Sequence, residues 1–451
     1  MIRVTWPNSI RCLLISLFTT LNGFAVAQDA RLKTIIDDYV NAYVRTGNFS
    51  GSILVAKNGQ MVYENSFGLA DADFQIANQP STRYHIASVS KNFTAAGILL
   101  LEERGKLNLT DAISKYIPDY PRGSEITIHY LLTHTSGITN VNDLPEYNVA
   151  SRSHQTPESL ILLFKNKPLE FDPGSRFQYS NSNYNVLAFI IESVSKLSYG
   201  EFLRKEIFTP SGMMHTLHHG DAHMVVPNLA VGYQGDGNFG IEKSDYLDWS
   251  SKTGNGSLVT AASDLLLWDR ALTSNTILSK ASVDKMYTNH GSNSGYGCYV
   301  RDHFGRKRVY MNGRSPGFTS YFARYPSEGV CIIVLANNYI PVATTIGLDI
   351  AAILFNEKYE KPVLLDEPIK PGIAKRLLGR YKFGPDFYRP NYEMNVKESG
   401  HRLTSDWGEM IPQGDYKYII RNYWSSVVFE ADKQGDIKKM IIDGFPGVRM
   451  D

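Results

Sequence analysis

His85-Ile86-Ala87-Ser88-Val89-Ser90-Lys91, running on as Asn92-Phe93-Thr94-Ala95-Ala96-Gly97-Ile98-Leu99-Leu100-Leu101, is the stretch on which the reading of this chain turns. From Ser88 to Leu101 the residues are apolar nearly all round, which predicts a helix lodged in a core and not one lying on a surface. Gly105 is suited to stop it, because glycine accepts the left-handed conformation that ends many helices. Ser88 and Lys91 stand three apart at its start, on one face, with Cβ atoms ~5–6 Å apart. A serine hydroxyl beside a base is an activated nucleophile. The helix N-terminus adds positive potential, which favours negative charge at Ser88 and helps to lower the pKa of the lysine. Taken alone, a Ser-x-x-Lys pair reads equally as an N-cap followed by a solvated lysine. Position argues against that, since a lysine one turn into an apolar helix has no ready route to water and needs a partner or a purpose.

Outward from this helix, residues 31–46 place Leu32, Ile35, Ile36, Tyr39, Val40 and Tyr43 at helical spacing. One face of that segment must therefore be covered. Residues 52–56 and 60–64 are β-rich runs split by Asn58-Gly59, a pair suited to the positive φ angles of a tight hairpin. Residues 110–290 alternate helical segments with Pro/Gly turns, and strand-like runs return at 296–300, 308–312, 317–325 and 329–336. A helix is expected over 342–356. Pairing the early hairpin with the late strands across the whole chain gives an α+β fold, an antiparallel sheet flanked by helices with an all-helical subdomain. Residues 28–360 form this unit, 361–372 read as a proline-bearing linker, and 373–451 as a small β-rich C-terminal domain with strands at 416–420, 427–429 and 437–442.

The chain has 451 residues, 43% hydrophobic and 20% charged, an ordinary globular composition that excludes disordered and fibrous classes. Arg3 and Arg11 precede an apolar run from Cys12 to Phe24, which ends in Ala25-Val26-Ala27. Residues 1–27 thus read as a cleaved secretory signal, too short to span a bilayer, and the protein is expected to be exported, periplasmic or secreted. No later stretch reads as a membrane span. Removing the signal takes two of the 46 basic residues and none of the 45 acidic ones, leaving 44 against 45. Such a balance gives no attraction for nucleic acid or acidic lipid. Cys298 and Cys331 lie in apolar runs and read as buried free thiols.

Several blocks then line up. The Ser88 segment, followed by LLEERGKLNLTD and ITIHYLLTHTSGI, FDPGSRFQYSNSNYNVLAFIIE at 171–192, GNGSLVTAASDLLLWDR at 254–270 and SPGFTSYFARYP at 315–326, resembles the serine β-lactamase and penicillin-binding-protein superfamily in its class C-like branch. The resemblance covers roughly residues 45–355 and rests on an ordered set of motifs. It implies that Ser88 is acylated, that Tyr179 and Lys91 pass protons, and that Asn181 orients the substrate amide or the lysine. A phenol and an amine titrate near pH ~10, so each is expected to be held by the other's charge. The backbone amides of Ser88 and Arg314 are implied as the oxyanion hole, whose donors are worth ~2.7–4 kcal/mol apiece. No cofactor and no metal is implied, and the partner is a small-molecule or peptide substrate.

One motif departs from the family. Its Lys/His-x-Gly aligns with Met311-Asn312-Gly313, so the cation that helps to bind a substrate carboxylate is replaced by a methionine. An ester or amide substrate without an obligatory carboxylate is therefore expected, with a penicillin-binding D,D-peptidase or β-lactamase and a degenerate binding protein as alternatives. Met311, Gly313 and Arg314 remain part of the implied substrate wall, although Arg314 needs a local bulge to restore the lost charge. His215, His219 and His223 would line one helical face as metal ligands do, with His218 beside them; the resemblance puts a loop there. His134 belongs to a block that is mainly structural in the resembling family.

Overall fold

A computed structural model describes residues 31–236, 240–361, 369, 371–400 and 402–450. The signal segment 1–27 and most of the 361–372 linker lie outside the described residues.

Strands Gly51–Lys57 and Gln60–Phe67 are joined by Asn58 at φ 51° and Gly59 at φ 72°. Two consecutive positive φ values make the type I′ turn that matches the twist of a hairpin. The main sheet has six antiparallel strands in the order Tyr299–His303, Arg306–Ser315, Phe318–Tyr325, Val330–Ala336, Gly51–Lys57, Gln60–Phe67. The early hairpin closes on the late strands through Gly51↔Ala336 to Lys57↔Val330. The strand expected at 296–300 begins later because Gly297, at φ 68°, turns the chain where a Cβ would fall 2.4 Å from the Lys91 carbonyl oxygen.

Alternation along the central strands splits the core in two. Ile53, Val55, Ile332 and Val334 pack on one side with Tyr39 and Tyr43 of the 31–45 helix and Ile346 and Ile350 of the Val342–Phe355 helix. Leu54, Ala56, Ile333 and Leu335 face the opposite side, where the helix Ser90–Glu103 lies among the helices of the middle region. Every residue of that helix from Ser90 to Leu101 is buried. It ends in a Schellman arrangement, with Gly105 at φ 64° and the amides of Gly105 and Lys106 donating to Glu102 O and Leu101 O, each at 2.9 Å.

The C-terminal unit is a closed barrel of eight antiparallel strands, from Gly379–Phe383 to Phe445–Arg449, sealed by Tyr381↔Arg449. A helix, Pro371–Leu377, occupies the end of the expected linker and sends Leu377 into the barrel core. The barrel docks on the larger unit through residues 421–424. Arg421, 1% exposed, donates to Asn48 Oδ1 (2.9 Å), Gly47 O (3.1 Å) and Gly240 O (3.0 Å), and pairs with Glu409 at 3.4 Å. Trp424 stacks obliquely on Tyr43, ring centroids 5.4 Å apart.

Candidate active site

Ser88 sits on a 3-10 turn, Ala87–Val89, that leads into the α-helix beginning at Ser90, and is not in the helix's first α turn. In a 3-10 turn side chains three apart eclipse, which suits the Ser88–Lys91 pair better than ideal α geometry does. Ala87 holds φ 46°, an uncommon angle for a residue with a Cβ, immediately before the serine. Lys91 is 0% exposed whereas Ser88 is only partly buried. Lys91 Nζ lies 3.1 Å from Ser88 Oγ, 2.8 Å from Asn181 Oδ1 and 2.7 Å from Asn255 O. Ser88 Oγ also meets Tyr179 Oη at 2.8 Å.

Burial drives the Lys91 amine well below the ordinary lysine range, and the charge of Lys252 adds to the effect. Desolvation pushes the Tyr179 phenol the other way, upward. The expectation that each group holds the other ionised is thus revised. Burial thus disfavours the charged form of both groups, phenolate on Tyr179 and ammonium on Lys91.

Asn181 begins the helix Asn181–Ser195 and is fixed on three sides. Its amide donates to Asn140 Oδ1 (2.9 Å), its Nδ2 donates to Asn142 Oδ1 (2.9 Å), and its Oδ1 receives Lys91. The contact with Lys91 is the geometry that orienting the lysine requires. Tyr179 rests against His134, ring centroids 4.5 Å apart, and His134 Nδ1 accepts from the Ser180 amide at 3.2 Å. That bond places the ring proton on Nε2. Burial above all pushes His134 down to about 3, so it stays neutral.

Asn255, to which the sequence reading gave no role, belongs to a turn whose carbonyls are satisfied one after another. Lys252 O accepts the amides of Asn255 (3.0 Å) and Gly256 (2.8 Å), Thr253 O accepts Asn185 Nδ2 (2.7 Å), and Gly254 O accepts Thr94 Oγ1 (2.6 Å). Asn255 O completes the series with Lys91. Gly254 at φ 84° is required there, since a Cβ would meet Tyr184 O at 2.1 Å. The GNGS segment was visible in the sequence, but nothing in its composition shows that its carbonyls clamp a lysine.

On the facing strand Arg306–Ser315, Met311 is 3% exposed and packed in the core, while Asn312 is exposed. A Cβ on Gly313 would fall 2.3 Å from Ile86 O and 2.4 Å from Ser320 Oγ, and Ser320 Oγ donates to the same Ile86 O at 2.7 Å. Strand and serine turn therefore touch backbone to backbone. The register from Val309↔Arg324 to Ser315↔Phe318 is unbroken, so the bulge that Arg314 would need is absent. Its guanidinium turns instead to the barrel, donating to Asn422 O (2.5 Å) and lying 4.0 Å from the Tyr339 ring centroid. Only its backbone is left to serve the site.

The histidine segment is not helical. His218 lies in the two-residue strand Leu217–His218 with Nδ1 2.8 Å from Ser257 Oγ, His219 stacks on His85, and His215 meets Arg83. The facing required of metal ligands does not arise among these described residues. Cys298 and Cys331 are both buried and unpaired.

Residues 34–354 match the profile of the family described as Beta-lactamase. The chain belongs to that family. It is 34% identical over 319 residues to a putative penicillin-binding protein, PbpX, of Bacillus subtilis (strain 168), covering 70% of this chain and 77% of the relative. The crystal structure of a penicillin binding protein from Bacillus halodurans superposes with a TM-score of 0.64 at 27% identity, over 70% of this chain and 98% of that one. The octameric penicillin-binding protein homologue from Pyrococcus abyssi shares the fold over 93% of this chain and 99% of its own, with a TM-score of 0.66 at 24% identity. The chain is a hydrolase of the β-lactamase fold.

Proposed function

We propose that this protein is an exported serine hydrolase that forms an acyl-enzyme on Ser88 from an ester, amide or peptide. The observation that carries the reading is the coordination of Lys91 Nζ. Two of its three partners, Asn181 Oδ1 and Asn255 O, are carbonyl oxygens that can only accept. A free amine satisfies both with its two hydrogens and turns its lone pair to the third partner, the Ser88 hydroxyl 3.1 Å away. Lys91 then takes the Ser88 proton as Oγ attacks the acyl carbon. Tyr179 delivers its phenolic proton to the departing oxygen or nitrogen, the proton on Lys91 replaces it, and water repeats the sequence to release the acid. The amides of Ser88 and Arg314 receive the oxyanion.

The strand contact at Gly313 sets that second amide, which makes a specific expectation. In Gly313→Ala the new methyl pushes the strand off the Ile86–Ala87 backbone. A displacement of roughly 1 Å costs about 10²-fold in turnover. Steady-state kinetics on variant shown by circular dichroism to be folded would check it, and unchanged kcat/KM would place the oxyanion donor elsewhere.

The buried Met311 thioether supports substrates without an obligatory carboxylate. The penicillin-binding peptidase remains the second reading because the relatives carry that name. Intact-mass measurement after treatment with a fluorophosphonate, with a fluorescent penicillin in parallel, tests both. The expected result is a single adduct on Ser88 with the fluorophosphonate, turnover of short-chain esters or amides, and slow or no reaction with penicillin and cephalosporins. Faster cephalosporin hydrolysis than ester or amide hydrolysis overturns the substrate assignment.

A further inference from the structure

We infer that a cavity beside the Ser88 turn receives the substrate's acyl side chain, and that His85 there selects a flat ring bearing a hydroxyl. The inference deepens the serine-hydrolase reading and rests on it. The cavity holds about 290 Å³ and is walled by His85, His219, Leu247, Trp249, Pro316 and Phe318. That volume is at the lower end of ligand pockets, enough for one ring and little more. Lys243 and Asp245 also border it but are exposed, and Lys243 pairs with Asp73. The buried part of the lining therefore holds neither carboxylate nor ammonium.

Its place follows from the elements that end in it. The strand Tyr84–His85 stops three residues before Ser88, and the 3-10 turn Trp249–Lys252 leads to the Asn255 carbonyl that holds Lys91. The strand Arg306–Ser315 carries the Arg314 amide and runs on to Pro316, with Ser315 paired to Phe318. From that amide an acyl group has two directions along the open strand edge. One ends at Tyr310, where the neighbouring strand Tyr299–His303 already pairs, and the other reaches Pro316 and the cavity.

The His85 ring is 2% exposed, stacks on Trp249 with centroids 3.4 Å apart, and meets Phe318 edge-on at 5.1 Å. Its Nε2 lies 3.3 Å from His219 Nδ1, whereas its Nδ1 is buried with no hydrogen-bond partner among the described residues. Burial pushes His85 well below its usual range, which favours the neutral ring with one proton. If Nε2 accepts from His219, Nδ1 donates; if Nε2 donates, Nδ1 accepts. A hydroxyl satisfies either state and brings no charge into the cavity. An unsubstituted ring leaves Nδ1 unpaired, and that difference sets the selectivity.

The test compares kcat/KM of the full chain on S-ethyl thioesters of acetic, phenylacetic, 3-hydroxyphenylacetic and 4-hydroxyphenylacetic acid, whose leaving group has no ring. One of the hydroxylated thioesters should exceed the phenylacetyl thioester by roughly tenfold or more. In His85→Phe, which keeps a flat ring against Trp249, that ratio should fall to about one, and His85→Gln should recover part of it. Leu247→Trp serves as a second variant from another wall: the larger side chain fills the cavity, and the ring thioesters should lose roughly tenfold against the thioacetate. p-Cresol should compete with the ring thioesters. A wild-type ratio near one, equal loss on every thioester in the variants, or p-cresol that does not compete overturns the inference. Those results leave the acyl-enzyme reading intact so long as a fluorophosphonate labels Ser88 of the wild type. Failure of that labelling sinks both.

Discussion

Replacing Ser88 by alanine is expected to abolish fluorophosphonate labelling and to lower turnover on the order of 10⁴- to 10⁶-fold, with the fold intact. The size follows from what else remains. Removing a nucleophile that works as a unit with its base leaves only substrate binding and oxyanion stabilisation. Structurally the change is small. Ser88 is partly exposed, Lys91 keeps Asn181 and Asn255, and water can replace the lost hydroxyl beside Tyr179. Stability is therefore expected to shift by less than about 1 kcal/mol. Thermal unfolding and active-site labelling on one preparation check both halves of the statement. Retention of more than about a hundredth of wild-type turnover would move the nucleophile elsewhere.

The second large effect belongs to Lys91. Methionine at this position keeps the length of the stem and removes the base, with a loss of roughly 10²- to 10⁴-fold in kcat. The pH profile separates this from a packing defect. Burial lowers the Lys91 pKa, so wild type keeps the free amine to lower pH than an ordinary lysine, and its activity falls only when acid protonates that amine. Neighbouring histidines do not supply this limb, since His134 is pushed down to about 3 and burial drives His85 well below its usual range. Lys91→Met should therefore lose the acid limb together with the rate. A variant that is slow but keeps the same limb would assign the base to another group.

The extent to which the site could be read in advance follows from how local each signal is. The Asn58-Gly59 turn and the buried helix declare themselves, because two positive φ angles and an all-round apolar pattern are written in adjacent residues. Ser88 and Lys91 are equally local, three apart on one turn. Tyr179 and Asn181 lie about 90 residues away, and only the resemblance joined them to the pair. Asn140, Asn142 and Asn255 act through carbonyl oxygens, which many residue types could supply, so no motif marks them. The histidine spacing is a weak signal for the opposite reason. It has meaning only on a helix, and Leu217–His218 is extended.

The barrel was half legible. Glu393–Ser399 and Arg402–Ser405 turn only Met394, Val396 and Leu403 inward, too few for alternation to stand out from a polar loop. The guanidinium of Arg314 could not be foreseen to leave the site, because its partner, Asn422 O, is a backbone atom of the other unit.

That last contact is half of a reciprocal pair across the seam. Arg314 spans from the strand beside Ser88 to the barrel, and Arg421 returns from the barrel to Gly47 and Asn48, so each unit sends a guanidinium to acceptors on the other. A barrel exchanged for that of a relative would have to present a carbonyl to Arg314 and a cation to Gly47 and Asn48, or leave those groups to water. The seam thus acts as a compatibility lock between the two units.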